Sequence, residues 1–212
     1  KDYETLKNFA DNASHEMQTP LAILNSKLDL LIQEPNLNES QTKQLQSIYD
    51  AMGRLSKLNQ SLLLLTKIEN NQFTKVNPLQ LDRLIKEKLL QLEDLILAKR
   101  LQLQTDLKET IVEIDNYLAD ILLNNLMGNA IRHNYENGHI SISLIQGKMI
   151  ISNTGSAFHF NEKNIFERFS KAENSEGIGL GLAIVKQICD NYRFVIDYSY
   201  EKGVHTFEIE LK

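Results

Sequence analysis

Ser14-His15-Glu16-Met17-Gln18-Thr19-Pro20-Leu21 sets a histidine beside a carboxylate and a proline five residues on, all inside a helical pattern. Proline lacks an N–H and crowds the preceding turn, so it is costly within a helix. Here it leaves the Glu16 carbonyl without a helical partner, which predicts a bend near His15. Around this run apolar residues recur in steps of three and four: Leu6, Phe9, Ala13, Met17, Leu21, Leu24, Leu28 and Leu31. That spacing paints one helix face. A second stripe, Leu45, Ile48, Met52, Leu55, Leu58, Leu62 and Leu65, follows a turn-rich stretch at 34–40, with Ser40 as the expected N-cap. The stripes predict an antiparallel helical hairpin over residues 1–72. Two helices make a thin core, so association into a four-helix bundle is the expected way to bury them. His15 lies off its stripe, about 200° around the helix from Ala13, so its ring is expected to face solvent.

The chain has 212 residues, 42% hydrophobic and 24% charged, with a formal net charge of −5. This is an ordinary balance for a globular protein, and it carries no nucleic-acid footprint. The single Cys189 excludes an internal disulfide and fits a reducing compartment. The longest apolar cluster, Leu62 to Leu65, is far too short to span a bilayer, and no secretory signal is seen. The first residues already lie inside the helical pattern, as expected of a piece of a longer, membrane-bound protein.

Residues 73–212 read as a second, α+β domain of helices layered on a mixed sheet. A linker with a short strand is expected at 73–79 and a helix from Gln80 to about Lys99. Short strands are expected near Leu101–Leu107 and Thr110–Ile114. Asp115 or Asn116 then caps a helix to about Asn134. Ile140–Ile145 alternates, and Gly147 turns the chain into Met149–Ser152, a hairpin signal. Residues 155–179 read as a loop with one helical piece at Ile165–Phe169, Leu180–Asn191 as a helix, and Arg193–Tyr200 with Val204–Leu211 as a closing hairpin.

Three motifs in this part suggest chemistry. In Asn125-Leu126-Met127-Gly128-Asn129-Ala130-Ile131-Arg132-His133, the two asparagines are i and i+4 and share a helix face. An amide oxygen is a hard neutral ligand suited to Mg²⁺ shared with phosphates and water, and Arg132 can pair with phosphate oxygens. Paired asparagines on a helix can equally face water. Asn153-Thr154-Gly155 ends a strand. In Gly177-Ile178-Gly179-Leu180-Gly181-Leu182, Gly177 and Gly179 let backbone approach a phosphate. The helix that follows offers free N–H groups.

The order of these motifs, with Phe166-Glu167-Arg168-Phe169 between the last two, resembles the ATP-binding domain of bacterial sensor histidine kinases. That domain sits in a wider superfamily with gyrase, heat-shock and mismatch-repair ATPases. The run at Ser14–Leu21 resembles the phospho-acceptor motif of the same kinases, so the resemblance covers essentially the whole chain. It implies a dimerization and phosphotransfer hairpin joined to an α/β-sandwich ATP domain, using ATP and Mg²⁺. By that resemblance His15 accepts the phosphoryl group, Glu16 fixes its tautomer and Thr19 positions a water for phosphatase activity on the regulator. Asn129 holds the metal with Asn125 close by, and Asn125 is counted among the catalytic residues. Arg132, His133 and Lys171 meet the phosphates or ribose. Asn153 and Gly155 meet the base, and Gly177, Gly179, Leu180, Gly181 and Leu182 form the phosphate loop and pocket wall. Phe166 and Phe169 are expected to pack the loop over ATP against the domain. The implied partners are a second copy of the chain and a response-regulator receiver domain, in the cytoplasm, with no nucleic acid and no membrane contact by this stretch itself.

This sequence departs from the family pattern in several places. Gln18 replaces a basic residue, Asn153 replaces the aspartate that meets adenine, Ala157 replaces a hinge glycine, and Lys171 stands where many relatives have Arg. Asn153 keeps an acceptor oxygen but loses charge assistance, which predicts weaker nucleotide binding. Two other readings follow from the same motifs: a catalytically weak nucleotide-binding dimerization scaffold, and a clamp-type ATPase of the same superfamily.

Overall fold

Asn38 and Gln41 start the longest helix. The Asn38 side chain accepts the Gln41 N–H at 2.9 Å while the Gln41 side chain accepts the Asn38 N–H at 2.9 Å, a reciprocal capping box. The cap is therefore Asn38 rather than Ser40. Ser40 has Lys43 three residues on and cannot form the reciprocal pair. The structure is a computed structural model and describes residues 19–33, 37–157, 164–170 and 177–211. His15, Glu16 and Lys171 lie outside the described residues.

The chain divides into two compact units, Lys1–Asn70 and Asn71–Lys212. The first is a helical hairpin of α1, helical over 19–32, and α2 (Glu39–Glu69). Its stripes are only half covered. Of the described stripe positions Leu21, Leu28 and Leu65 are buried, as is Ile68 beyond the second stripe, whereas Leu24, Leu31, Ile48 and Leu55 are each about half exposed.

The second unit begins with β1 (Asn77–Gln80), α3 (Leu81–Gln91) and α4 (Glu93–Ala98). The helix expected to run unbroken to Lys99 stops at Leu92, although no Gly or Pro marks the spot. The hydrogen bonding runs on through it, the Leu92 N–H donating to the Lys88 carbonyl at 3.0 Å and the Ile96 N–H to the Leu92 carbonyl at 3.1 Å. Lys88 pairs with Asp120 on the next long helix, and the turn at Leu92 still lets Ile96 bury. β2 (Gln102–Leu107) and β3 (Ile111–Ile114) follow, then α5 (Asn116–Arg132), β4 (His139–Ile145), β5 (Lys148–Thr154), α6 (Gly181–Asn191), β6 (Val195–Glu201) and β7 (Val204–Glu210). β1 and β3 pair antiparallel as a separate ribbon, with Leu79 opposite Val112.

The main sheet has the order β2-β4-β5-β7-β6, with β2 parallel to β4 and every other pair antiparallel. Alternation sorts its faces. Ile140, Ile142, Leu144, Met149, Ile151, Phe207 and Ile209 are buried. On the other face Lys148 bridges Glu208 at 2.6 Å and Glu210 at 3.0 Å. α5 packs on β5, α3 and α6, and buries Leu118, Leu122, Leu123, Leu126, Met127 and Ala130. The result is the expected helices on one face of a mixed sheet.

Candidate functional site

α5 carries the paired asparagines, and both its ends are fixed. Asp115 caps the start, its carboxylate accepting from the N–H groups of Tyr117 and Leu118 at 2.9 and 3.2 Å. At the other end the Lys99 ammonium donates to the carbonyls of Ile131, Arg132 and Asn134 at 3.0, 2.9 and 3.3 Å. A cation there satisfies orphan carbonyls and complements the helix dipole. Beyond the helix Asn134 is buried. Its Nδ2 donates to the His139 carbonyl and its Oδ1 accepts from the Thr154 hydroxyl at 2.6 Å. This ties the end of α5 to β4 and β5. Lys99, Asn134 and Thr154 are parts of the site that motif reading missed, because each acts on backbone or on a residue far along the chain.

Asn125 and Asn129 are both half-buried and Arg132 is exposed. The Asn125 Nδ2 donates to the Ile121 carbonyl at 2.8 Å, which turns its Oδ1 away from its own helix. That oxygen faces the start of α6, where a Cβ added to Gly181 would lie 2.6 Å from it. The asparagine helix and the glycine-rich turn therefore meet at Gly181, where a side chain fits only if the Asn125 amide moves aside. Leu180 and Ile184 are buried as core, while Ile178 and Leu182 stay half-exposed as wall. No side chain caps the α6 start, in contrast to α5, so its first N–H groups are not taken up by a cap.

Asn153 is 3% exposed and its Nδ2 donates to the Thr154 carbonyl at 2.9 Å. A carbonyl can only accept, so the amide orientation is fixed and Oδ1 is the end presented to a donor. Gly155, which follows Thr154, is buried.

His133 closes α5. Burial, first, and then the nearby charges of Arg132, His205 and Lys99 hold its pKa below the usual histidine range. It therefore offers a neutral ring rather than a charge. Phe166 is half-buried and meets Phe207 edge-on with centroids 6.5 Å apart. Phe169 is instead 56% exposed at a positive φ of 64°, and its N–H donates to the Gly179 carbonyl at 2.8 Å. Backbone, rather than the expected aromatic packing, joins Phe169 to the glycine-rich turn.

Among the described residues no group of three or more His, Cys, Asp or Glu side chains could hold a metal. Half-buried Asn129 carries an amide oxygen, a hard neutral donor. That chemistry fits Mg²⁺ shared with substrate phosphates, not a site made of protein alone. No helix among the described residues is long and apolar enough to cross a membrane.

Comparison with known proteins agrees with this geometry. Residues 5–71 match the His Kinase A (phospho-acceptor) domain, and residues 115–212 match the histidine kinase-, DNA gyrase B-, and HSP90-like ATPase family. The heme sensor protein HssS of Staphylococcus saprophyticus is 31% identical over 97% of this chain and 46% of its own length. The sensor histidine kinase HprS of Escherichia coli is 30% identical over 100% of this chain and 48% of its own. The chain thus spans about half the length of the curated relatives it matches. Among solved structures, Acinetobacter baumannii histidine kinase AdeS superposes with a TM-score of 0.65 at 25% identity, covering 93% of this chain and 97% of that one. Full-length ShkA shares the fold at a TM-score of 0.72 and 19% identity, over 97% of this chain and 46% of that one. With a phospho-acceptor hairpin ahead of an ATPase-type α/β unit, and such relatives along its whole length, the chain belongs to the sensor histidine kinases.

Proposed function

We propose that this chain is the catalytic core of a sensor histidine kinase, which uses Mg-ATP to phosphorylate His15. The observation that carries this is the union, in one chain, of the His15-Glu16 run with an ATPase-type unit whose Gly181 closes on Asn125. Asn153 takes the adenine 6-amino group on its side-chain oxygen, since its nitrogen is occupied by Thr154. Arg132, Lys171 and the N–H groups at the start of α6 meet the phosphates, and neutral His133 offers a hydrogen bond to ribose or phosphate. When bound, Mg²⁺ on the Asn129 oxygen would neutralise charge on the transferring phosphoryl group.

Glu16 accepts a hydrogen bond from one His15 ring nitrogen and leaves the other with its lone pair. That nitrogen forms the N–P bond while the bond from the γ-phosphorus to the bridging oxygen breaks, and ADP leaves with the electron pair. Glu16 stabilises the proton held on the far nitrogen. The phosphoryl group then passes to an aspartate of a response-regulator receiver domain. Thr19, exposed on α1, orients a water for removal of phosphate from that regulator. A second copy of the chain covers the exposed half of the hairpin stripes at Leu24, Leu31, Ile48 and Leu55. The need for ATP supports reading this core as the cytoplasmic part of a membrane-bound sensor.

Incubation with γ-labelled Mg-ATP tests the reading. The expected product is acid-labile, alkali-stable label on the protein. Free labelled phosphate with an unlabelled protein indicates a clamp-type ATPase, and nucleotide binding with neither product indicates a scaffold.

A second expected result concerns Gly181→Ala. The added methyl must displace the Asn125 amide, the mobile end of that side chain, so the fold accommodates it while the amide oxygen changes place. Because Asn125 is read as part of the nucleotide site, ADP affinity, read by titration calorimetry, should fall about tenfold, with the helical signal of the protein unchanged. Unaltered affinity would detach the Asn125–Gly181 contact from nucleotide binding.

A further inference from the structure

His205 is a buried, titratable side chain that the mechanism above does not use. It is 1% exposed, on the helix-facing side of β7 near the start of the strand. The strand register places it directly opposite Asn153 of β5 on one side and Tyr200 of β6 on the other. Asn153, His205 and Tyr200 thus form one polar row across three strands, at the end of the sheet where the Asn153-Thr154-Gly155-Ser156 turn leaves it.

The hydrogen bonds of this row converge on that turn. His205 Nε2 lies 2.9 Å from the Ser156 carbonyl and Nδ1 lies 2.8 Å from the Tyr198 hydroxyl. The carbonyl can only accept, so Nε2 carries a proton and donates to it, and the Tyr198 hydroxyl is the partner of Nδ1. The Tyr200 hydroxyl donates to the Gly155 carbonyl at 3.2 Å. Consecutive carbonyls of the turn are therefore held from one side by His205 and Tyr200. The ring itself is packed between two tyrosines, stacked on Tyr198 at 6.0 Å and tilted against Tyr200 at 4.7 Å. On its other side Gly155 is pressed against the carbonyl of His133, and a side chain at Gly155 would collide with both that carbonyl and the His205 ring.

We propose that His205 is a positioning residue for the base end of the nucleotide site: it locks the Asn153–Ser156 turn, and through Gly155 fixes that turn against the end of α5. This rests on reading the turn as the adenine side of an ATP site. Because His205 holds the turn rather than the reacting phosphate, its loss weakens nucleotide binding and leaves the chemical step largely intact. A buried hydrogen-bond network of this kind rigidifies what it holds only while every member is satisfied.

The test compares the unaltered 212-residue chain with His205→Phe, His205→Gln and Tyr198→Phe, using ADP titration, ATP-dependent label incorporation and thermal melting. Phenylalanine keeps the ring packing but has no donor for Ser156, and glutamine restores an N–H donor. With His205→Phe, ADP affinity should fall and KM for ATP rise about tenfold, while the rate at saturating ATP changes less than about threefold. His205→Gln should recover most of the loss. A folded His205→Phe that binds ADP as tightly as the unaltered chain overturns the proposal. So does a defect that falls on the saturated rate rather than on KM. If His205→Phe does not fold, Tyr198→Phe decides. It removes only the hydroxyl behind Nδ1, and about threefold weaker ADP binding is expected, whereas unchanged binding overturns the proposal. If the unaltered chain binds no ADP, the nucleotide reading falls and takes this proposal with it. Normal binding by the unaltered chain with an indifferent His205→Phe sinks this proposal alone.

Discussion

His15→Gln removes stable label from the protein, lowering incorporation by at least about a thousandfold, while ADP binds as it does to the unaltered chain. Glutamine is close to histidine in polarity but has no nucleophilic ring nitrogen, so the N–P bond cannot form. Binding survives because His15 belongs to the unit Lys1–Asn70, whereas Asn125, Asn153 and Gly181 belong to Asn71–Lys212. Each unit has its own buried core. The chain contains five histidines, so persistence of acid-labile label would move the acceptor to another of them. His205 is a poor candidate because it is 1% exposed. Calorimetry with ADP, run beside the labelling assay, separates loss of the acceptor from loss of the nucleotide.

Asn129→Ala abolishes Mg-ATP-dependent labelling, by at least about a hundredfold, without unfolding the protein. Asn129 is half-buried in α5, and alanine is a better helix former than asparagine. The melting temperature should therefore hold or rise while activity disappears. Asn129→Asp keeps an oxygen donor at the same place and should retain part of the activity, with a shifted Mg²⁺ dependence. Full activity of Asn129→Ala at low Mg²⁺ would remove the metal role from this residue. Mixing Asn129→Ala with His15→Gln adds a further readout. Recovered label requires one copy to supply ATP and another to supply His15, and so reports both association and transfer between copies.

Much of this architecture was legible because it rests on local rules. Steps of three and four marked the hairpin, alternation marked β4 and Gly147 the turn into β5, and of the two cap candidates Asp115 and Asn116 the structure selects Asp115. What escaped rests on geometry that residue type alone does not show. The break at Leu92 carries no Gly or Pro and is a local change of backbone angle at one residue, across which the i to i−4 hydrogen bonds continue. Ser40 looked like a cap in isolation, and only the reciprocal geometry with Gln41 selects Asn38. Within the proposed site, spacing gave the shared helix face of Asn125 and Asn129, while the roles of Asn153, Gly155 and Gly181 came only with the family resemblance. The residues that hold them, Lys99, Asn134, Thr154 and His205, were legible in neither way. A lysine that donates to three carbonyls or a histidine that bonds one leaves no signature in composition or period. Thr154 was visible only as a spacer between Asn153 and Gly155, yet its hydroxyl joins the end of α5 to the sheet.

The strand order also fixes when the nucleotide turn can exist as the chain folds. β5 is a central strand that stays open on one edge until β7 arrives, and the bond from His205 to Ser156 spans 49 residues of sequence. Closing so long a loop has an entropic cost that must be met before the contact stabilises anything. β4 and β5, joined by a tight turn, can pair early. The turn after β5 acquires its final shape only once the last hairpin docks. During synthesis the binding site is therefore completed at the very end of the unit, when most of its helical layer is already in place. A ribosome stalled before β7 would expose a chain with much of its core and no defined place for a base.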